Sequence, residues 1–130
     1  MKVWWLLAVA AALLVVPLQC VGSSRLDGTM ALHCKGIGVP FTFVRLPLSI
    51  DEELTFEFIN MAATLDKRAD VTAQRCARGS CVSGTAQVRF DRFVWNKETS
   101  GSFVADFPEG IRIERTFRAR ARPKIKGHCE

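Results

Sequence analysis

Hydrophobic residues recur at every second position along much of this chain, most clearly from Val71 to Phe90. Val82, Gly84, Ala86, Val88 and Phe90 share one parity, and Ser83, Thr85, Gln87 and Arg89 take the other. This is the pattern of a strand with one covered face. With the run before it, the stretch predicts a β-hairpin around Cys76-Ala-Arg-Gly-Ser-Cys81, in which Gly79 is free to take positive φ and the two thiols face each other. Further on, Phe93 and Trp95 alternate with Arg92 and Val94, which puts Trp95 in the core. Asn96 to Gly101 reads as a turn, Phe103, Ala105 and Phe107 alternate, and Pro108-Glu109-Gly110 turns again. Ile111, Ile113, Phe117, Ala119 and Ala121 complete a long last strand on one parity.

The earlier part of the chain is less regular. Thr29 to Lys35 is a short apolar run followed by Gly36, Gly38 and Pro40 as a turn, and Phe41 to Leu48 is apolar on both parities, with Pro47 marking an edge. Two patterns compete over the next segment. Ser49-Ile50-Asp51-Glu52 has the form of a capping box, and Leu54, Phe58, Met61, Ala62 and Leu65 fall at helical spacing, which predicts a helix near 51–65. Leu54, Phe56 and Phe58 alternate in a run rich in aromatic and β-branched residues, which predicts a strand leading to a polar turn over Asp66 to Asp70. The strand reading is preferred. The expected fold is then all-β, a small antiparallel meander of six or seven strands forming a disulfide-stapled barrel or sandwich, with an α+β domain carrying one helix as the alternative. Ser83-Gly84-Thr85 and Ser100-Gly101-Ser102 stand at one spacing from Phe90 and Phe107, an echo read as successive hairpins reusing turn chemistry.

Composition bounds the organisation. The 130 residues suffice for one domain. Lys2 is followed by an unbroken apolar run from Trp4 to Val16, closed by Pro17, too short to span a bilayer and suited to an export signal. Residues 1–23 are expected to be removed by cleavage after Ser23, leaving a single β-rich domain over 24–130 in the periplasm or outside the cell. Cys20 offers the alternative of a lipid anchor, although Gln19 stands where a lipobox has a small residue. The remaining cysteines, Cys34, Cys76, Cys81 and Cys129, are even in number, and export favours disulfides over a zinc site. Spacing pairs Cys76 with Cys81 and leaves Cys34 for Cys129.

Charge is unevenly spread. From Ser24 onward, 17 Lys and Arg (the chain's 18 less Lys2) face 13 Asp and Glu, and seven of the basic residues lie between Arg112 and Lys126 with Glu114 the one acid among them. In the last strand Arg112, Glu114, Thr116, Arg118, Arg120 and Arg122 share the polar parity, while Arg115 alone breaks the apolar one. Arginines two residues apart stand about 7 Å from each other, a ladder suited to anionic groups. Arg112, Arg118, Arg120, Arg122, Lys124 and Lys126 are therefore the candidate partner-binding residues. The alternative for them is a solvated, aggregation-resistant edge.

His33 and His128 each precede a cysteine of the expected terminal disulfide and would lie about 5 to 8 Å apart, a spacing open to acid–base or metal chemistry. No carboxylate is evidently placed to orient them, and neither a phosphate loop nor a nucleophile elbow nor a metalloprotease motif occurs. The expectation is a non-enzymatic, cofactor-free module, binding or envelope-associated, whose ladder contacts an anionic envelope component or acidic protein; nucleic acid is a less favoured partner. A small secreted hydrolase or nuclease using His33 and His128 is the first alternative, and a structural or inhibitory subunit docking on another protein the second. The sequence leaves the oligomeric state open.

Overall fold

The computed structural model describes residues 24–35 and 38–122. The expected signal segment, Cys20, Lys124, Lys126, His128 and Cys129 lie outside the described residues. Seven strands form a closed barrel in chain order. They are β1 (Leu26–Lys35), β2 (Val39–Ser49), β3 (Glu52–Ile59), β4 (Arg68–Ala77), β5 (Ser80–Val94), β6 (Glu98–Phe107) and β7 (Ile111–Ala121). Successive strands pair antiparallel, so in an odd-numbered meander the first and last run the same way. Closure is accordingly parallel, with Leu26 beside Phe117 through Met30 beside Ala121.

Alternation decides which side chains fill the barrel. Val44, Leu46, Leu54, Phe56, Phe58, Ala86, Val88, Phe90, Phe103, Ala105, Phe117 and Ala119 are all buried. The Phe56 ring meets Phe117 edge-on at 5.6 Å, and Phe58 lies 4.6 Å from Phe90. Such rings fill a barrel this small and bring a large apolar area out of water.

Segment 51–65 is a strand where its apolar period is two. Leu54, Phe56 and Phe58 all point inward on β3. The capping-box residues instead make the β2–β3 turn: Ser49 pairs with Glu52, and the Ser49 hydroxyl donates to an Asp51 carboxylate oxygen at 3.1 Å. Of the alternative helix only one π-helical turn is present, Ala62–Asp66, and two of its apolar anchors, Met61 and Leu65, are 61% and 70% exposed. β4 then opens at Arg68, inside the stretch expected to be turn.

Two further expectations change. Asn96 to Gly101 is not a turn throughout, because β6 starts at Glu98. Trp95 lies beyond the end of β5 and is 47% exposed, so its parity with Phe93 does not carry it into the core. Pro47 stands where β2 has a ladder neighbour on one side only, as an edge position requires: pairing with β1 stops at Arg45, and Pro47 pairs with Glu53 of β3 in the last regular rung before a register shift.

The Ser-Gly echo lies inside strands rather than in turns. A Cβ on Gly101 would stand 1.9 Å from the Arg89 carbonyl oxygen, and one on Gly84 would stand 2.3 Å from that of Asp106. These glycines allow neighbouring backbones to approach where the sheet coils tightly. Gly79 has the other use: with Arg78 at φ 53° and Gly79 at φ 83°, the pair forms the two-residue turn of the β4–β5 hairpin. One step outward Cys76 pairs with Cys81, Cα atoms 4.1 Å apart, in the expected disulfide. Cys34 is also disulfide-bonded.

The two devices should respond differently to mutation. Gly101→Ala drives a Cβ into backbone that cannot retreat and is expected to cost more than about 3 kcal/mol by urea unfolding. Replacing both Cys76 and Cys81 by Ser opens only a short loop and should cost about 2 kcal/mol. A Gly101→Ala protein as stable as the parent would show that the strands do not approach as described.

Candidate functional site

Alternation on β7 sends Phe117 and Ala119 inward and Arg112, Glu114, Thr116, Arg118 and Arg120 to the outer face. The register then decides what each arginine meets. Arg112 is held by Glu114 at 3.2 Å and Asp106 at 3.8 Å, near the turned end of the β6–β7 hairpin. Arg118 and Arg120 lie at the opposite end, beside Asp27 and Thr29 of β1 and Ser100 and Glu98 of β6. The ladder therefore divides into two separate groups. Arg122, one residue past β7, is exposed and extends the second group.

Glu98 is the centre of that group. Its carboxylate accepts from Arg118 Nη2 at 3.1 Å and meets Arg92 Nε at 2.7 Å and Arg120 Nε at 3.8 Å. The Arg118 hydrogen bond holds the Glu98 carboxyl below its ordinary range; partial desolvation opposes this, and the charges of Arg92, Arg118 and Arg120 reinforce it. One carboxylate thus serves three guanidinium groups, and the excess is positive. Arg92, Lys97, Arg120 and Arg122 line a groove of about 440 Å³ beside the β5–β6 turn, with Glu98 as the one carboxylate in its wall.

Arg115, the break in the apolar parity, has a structural task. Its Nε donates to the Ser24 carbonyl at 2.9 Å and its Nη2 to the Ser24 hydroxyl at 2.7 Å, which ties the start of β1 to β7 where the parallel seam begins.

The histidine reading gains little support. His33 is exposed on β1, across from Phe41, and His128 lies outside the described residues. Among the described residues no group of three or more His, Cys, Asp or Glu side chains is placed to hold a metal ion.

Arg92, Lys97 and Glu98 escape a reading of β7 alone, because they reach it only through the β5–β6 hairpin. The signals that would have found them are the positions of two turns: the one over Trp95–Lys97 sets Arg92 beside Ser100 and Val94 beside Glu98, and the one over Pro108–Gly110 sets Glu98 opposite Arg120. No protein-family model matches the chain, nor does any curated protein or solved structure.

A carboxyl depressed in the folded state stabilises the protein above its unfolded value of 4.5, and that contribution disappears as pH falls through the folded value. Glu98→Gln is therefore expected to reduce stability at neutral pH and to flatten the loss of stability below about pH 4.5. Thermal midpoints of both proteins across that range check it, and parallel curves would remove Glu98 from its central place.

Proposed function

We propose that the chain is an exported, non-enzymatic binding module that docks on the anionic surface of an envelope membrane through the barrel end bearing Arg92, Lys97, Arg120 and Arg122. The observation that carries this reading is the charge imbalance in their groove, four cations against the Glu98 carboxylate. A basic residue close to an anionic bilayer contributes about 1 kcal/mol.

Apolar exposure strengthens the choice of a membrane over an acidic protein. In an antiparallel meander the β3–β4 and β5–β6 connections fall at the same end, and there Met61, Leu65 and Trp95 are exposed. Exposed apolar side chains with a tryptophan among cations suit the bilayer interface, where the rings and chains enter the headgroup layer while charges meet phosphates. Export accords with the fold because the seven strands of the barrel lie between Leu26 and Ala121, so cleavage after Ser23 removes none of them.

The test uses the protein beginning at Ser24, in which Trp95 is the sole tryptophan. Vesicles containing phosphatidylglycerol should shift Trp95 emission to the blue, vesicles of phosphatidylcholine alone should not, and binding should fall steeply between about 50 and 200 mM salt. Changing Lys97, Arg120 and Arg122 together to Gln should remove most binding with the fold intact; Arg118 is kept because it holds Glu98. Binding indifferent to salt and to these changes would end the proposal.

A further inference from the structure

A second basic feature lies away from the β5–β6 turn, across β4 to β7. Directly opposed residues there are Arg68 and Arg89, then Arg89 and Ser102, then Ser102 and Thr116. The four form one rung on the outer face, with neighbours about 5 Å apart. Like charges directly opposed on a sheet are destabilising. The strand arginines Arg45, Arg75, Arg92, Arg112, Arg118 and Arg120 each have a carboxylate within ion-pair distance. Among the described residues Arg68 and Arg89 have none, and Arg115 is engaged by Ser24. Of the three strand arginines of β4–β7 without a carboxylate partner, Arg115 is thus held by Ser24 and the other two face each other.

The rung borders a groove of about 690 Å³ on this outer face. Ser102 and Val104 of β6 are short side chains between longer ones on β5 and β7, which leaves room for a ligand. The adjacent rung runs from Asp70 through Gln87 and Val104 to Glu114. One row therefore offers guanidinium and hydroxyl donors, and the next offers mainly acceptors.

We propose that Arg68, Arg89, Ser102 and Thr116 bind the oxyanion of a small phosphate or sulfate ester, whose hydroxyl groups are received by Asp70, Gln87 and Glu114. Two planar forks present donors to the oxygens of a tetrahedral anion, and the anion removes the repulsion between them. The carboxylates two residues away disfavour a second anionic group, so the ligand carries one charged head and a hydroxylated body. This site is independent of the membrane-facing end.

The experiment measures the thermal midpoint of the protein from Ser24 with inorganic phosphate, glycerol phosphate and glycerol, ionic strength being held constant with sodium chloride. Glycerol phosphate should raise the midpoint most, phosphate less, and glycerol not at all. Arg89→Gln and Arg68→Gln should each weaken binding about tenfold or more, and Arg89→Lys, which keeps charge and loses the fork, less. Without ligand, Arg68→Gln should leave the midpoint unchanged or raise it, since it relieves repulsion; a merely structural arginine would lower it. The protein altered at Lys97, Arg120 and Arg122 should keep the full response, which separates this site from vesicle binding. The proposal is overturned by an equal response to sodium chloride, by no response to either phosphate, or by a response that survives both Gln substitutions. Equal responses to phosphate and glycerol phosphate would overturn the hydroxyl contacts.

Discussion

The parallel seam between β1 and β7 is the constraint on which the outer surface depends. It joins only the second half of β7, from Phe117 to Ala121, to the first half of β1. In the same way β3 pairs with β4 only from Ala73 to Ala77. Between these two partial joins, the segments Arg68–Thr72 of β4 and Ile111–Thr116 of β7 have no ladder partner on their outer side among the described residues, with β5 and β6 between them. The barrel thus carries a four-strand face over part of its circumference. Arg118 and Arg120 fall on the seam side of this division and Arg112 on the open side, which is why a single row of arginines does not behave as a single surface.

Ion pairing divides these cations further. Exposed pairs contribute little, since solvent screens them and long side chains must be held still. Arg120 is 64% exposed and Arg92 65%, so both can leave Glu98 for an external phosphate at small cost. Glu98 itself is the more enclosed partner, its side chain 20% exposed, and Arg118 at 34% encloses it. A partner that draws off the two outer arginines therefore leaves Arg118 to keep the carboxylate charged. The cluster can exchange ligands without an uncompensated charge at the surface of the barrel.

Much of this was legible in the sequence wherever one face of a strand is buried. Ala86 to Phe90 and Phe103 to Phe107 gave their inward residues directly, whereas Val82, on the same parity near the hairpin end, is 48% exposed; the cysteine spacing gave a hairpin whose register can be counted outward. Equal distances from Cys76 and Cys81 land on Arg68 and Arg89, so their opposition follows from the spacing alone. What stayed hidden depended on contacts between distant segments. Ser100 and Gly101 have turn composition, yet Gly101 is required by the approach of the Arg89 carbonyl from the next strand. Trp95 has the parity of a core residue but follows the last rung of β5, where no further pairing holds that parity. The competing helix over 51–65 lost because a barrel wall accepts only period-two burial there, and its helical spacing would have required Met61 and Leu65 to find cover that no neighbouring strand supplies.

The irregularity at Asp91 shows how closely core and surface are tied. β5 pairs Phe90 with Gly101 and then Arg92 with Ser100, so one residue of β5 is left over. In an unbroken strand the parity of Phe90 would carry Arg92 inward and Phe93 outward. The bulge exchanges them: Phe93 turns in to meet Phe58 at 5.8 Å, and Arg92 turns out to reach Glu98. The same residue of slack leaves Arg89 and Arg92 both on the outer face, one in the rung with Arg68 and the other in the rung with Arg118. A feature required to finish the aromatic packing therefore also sets the spacing between the two basic sites, and neither site can be moved along β5 without taking an aromatic ring out of the core.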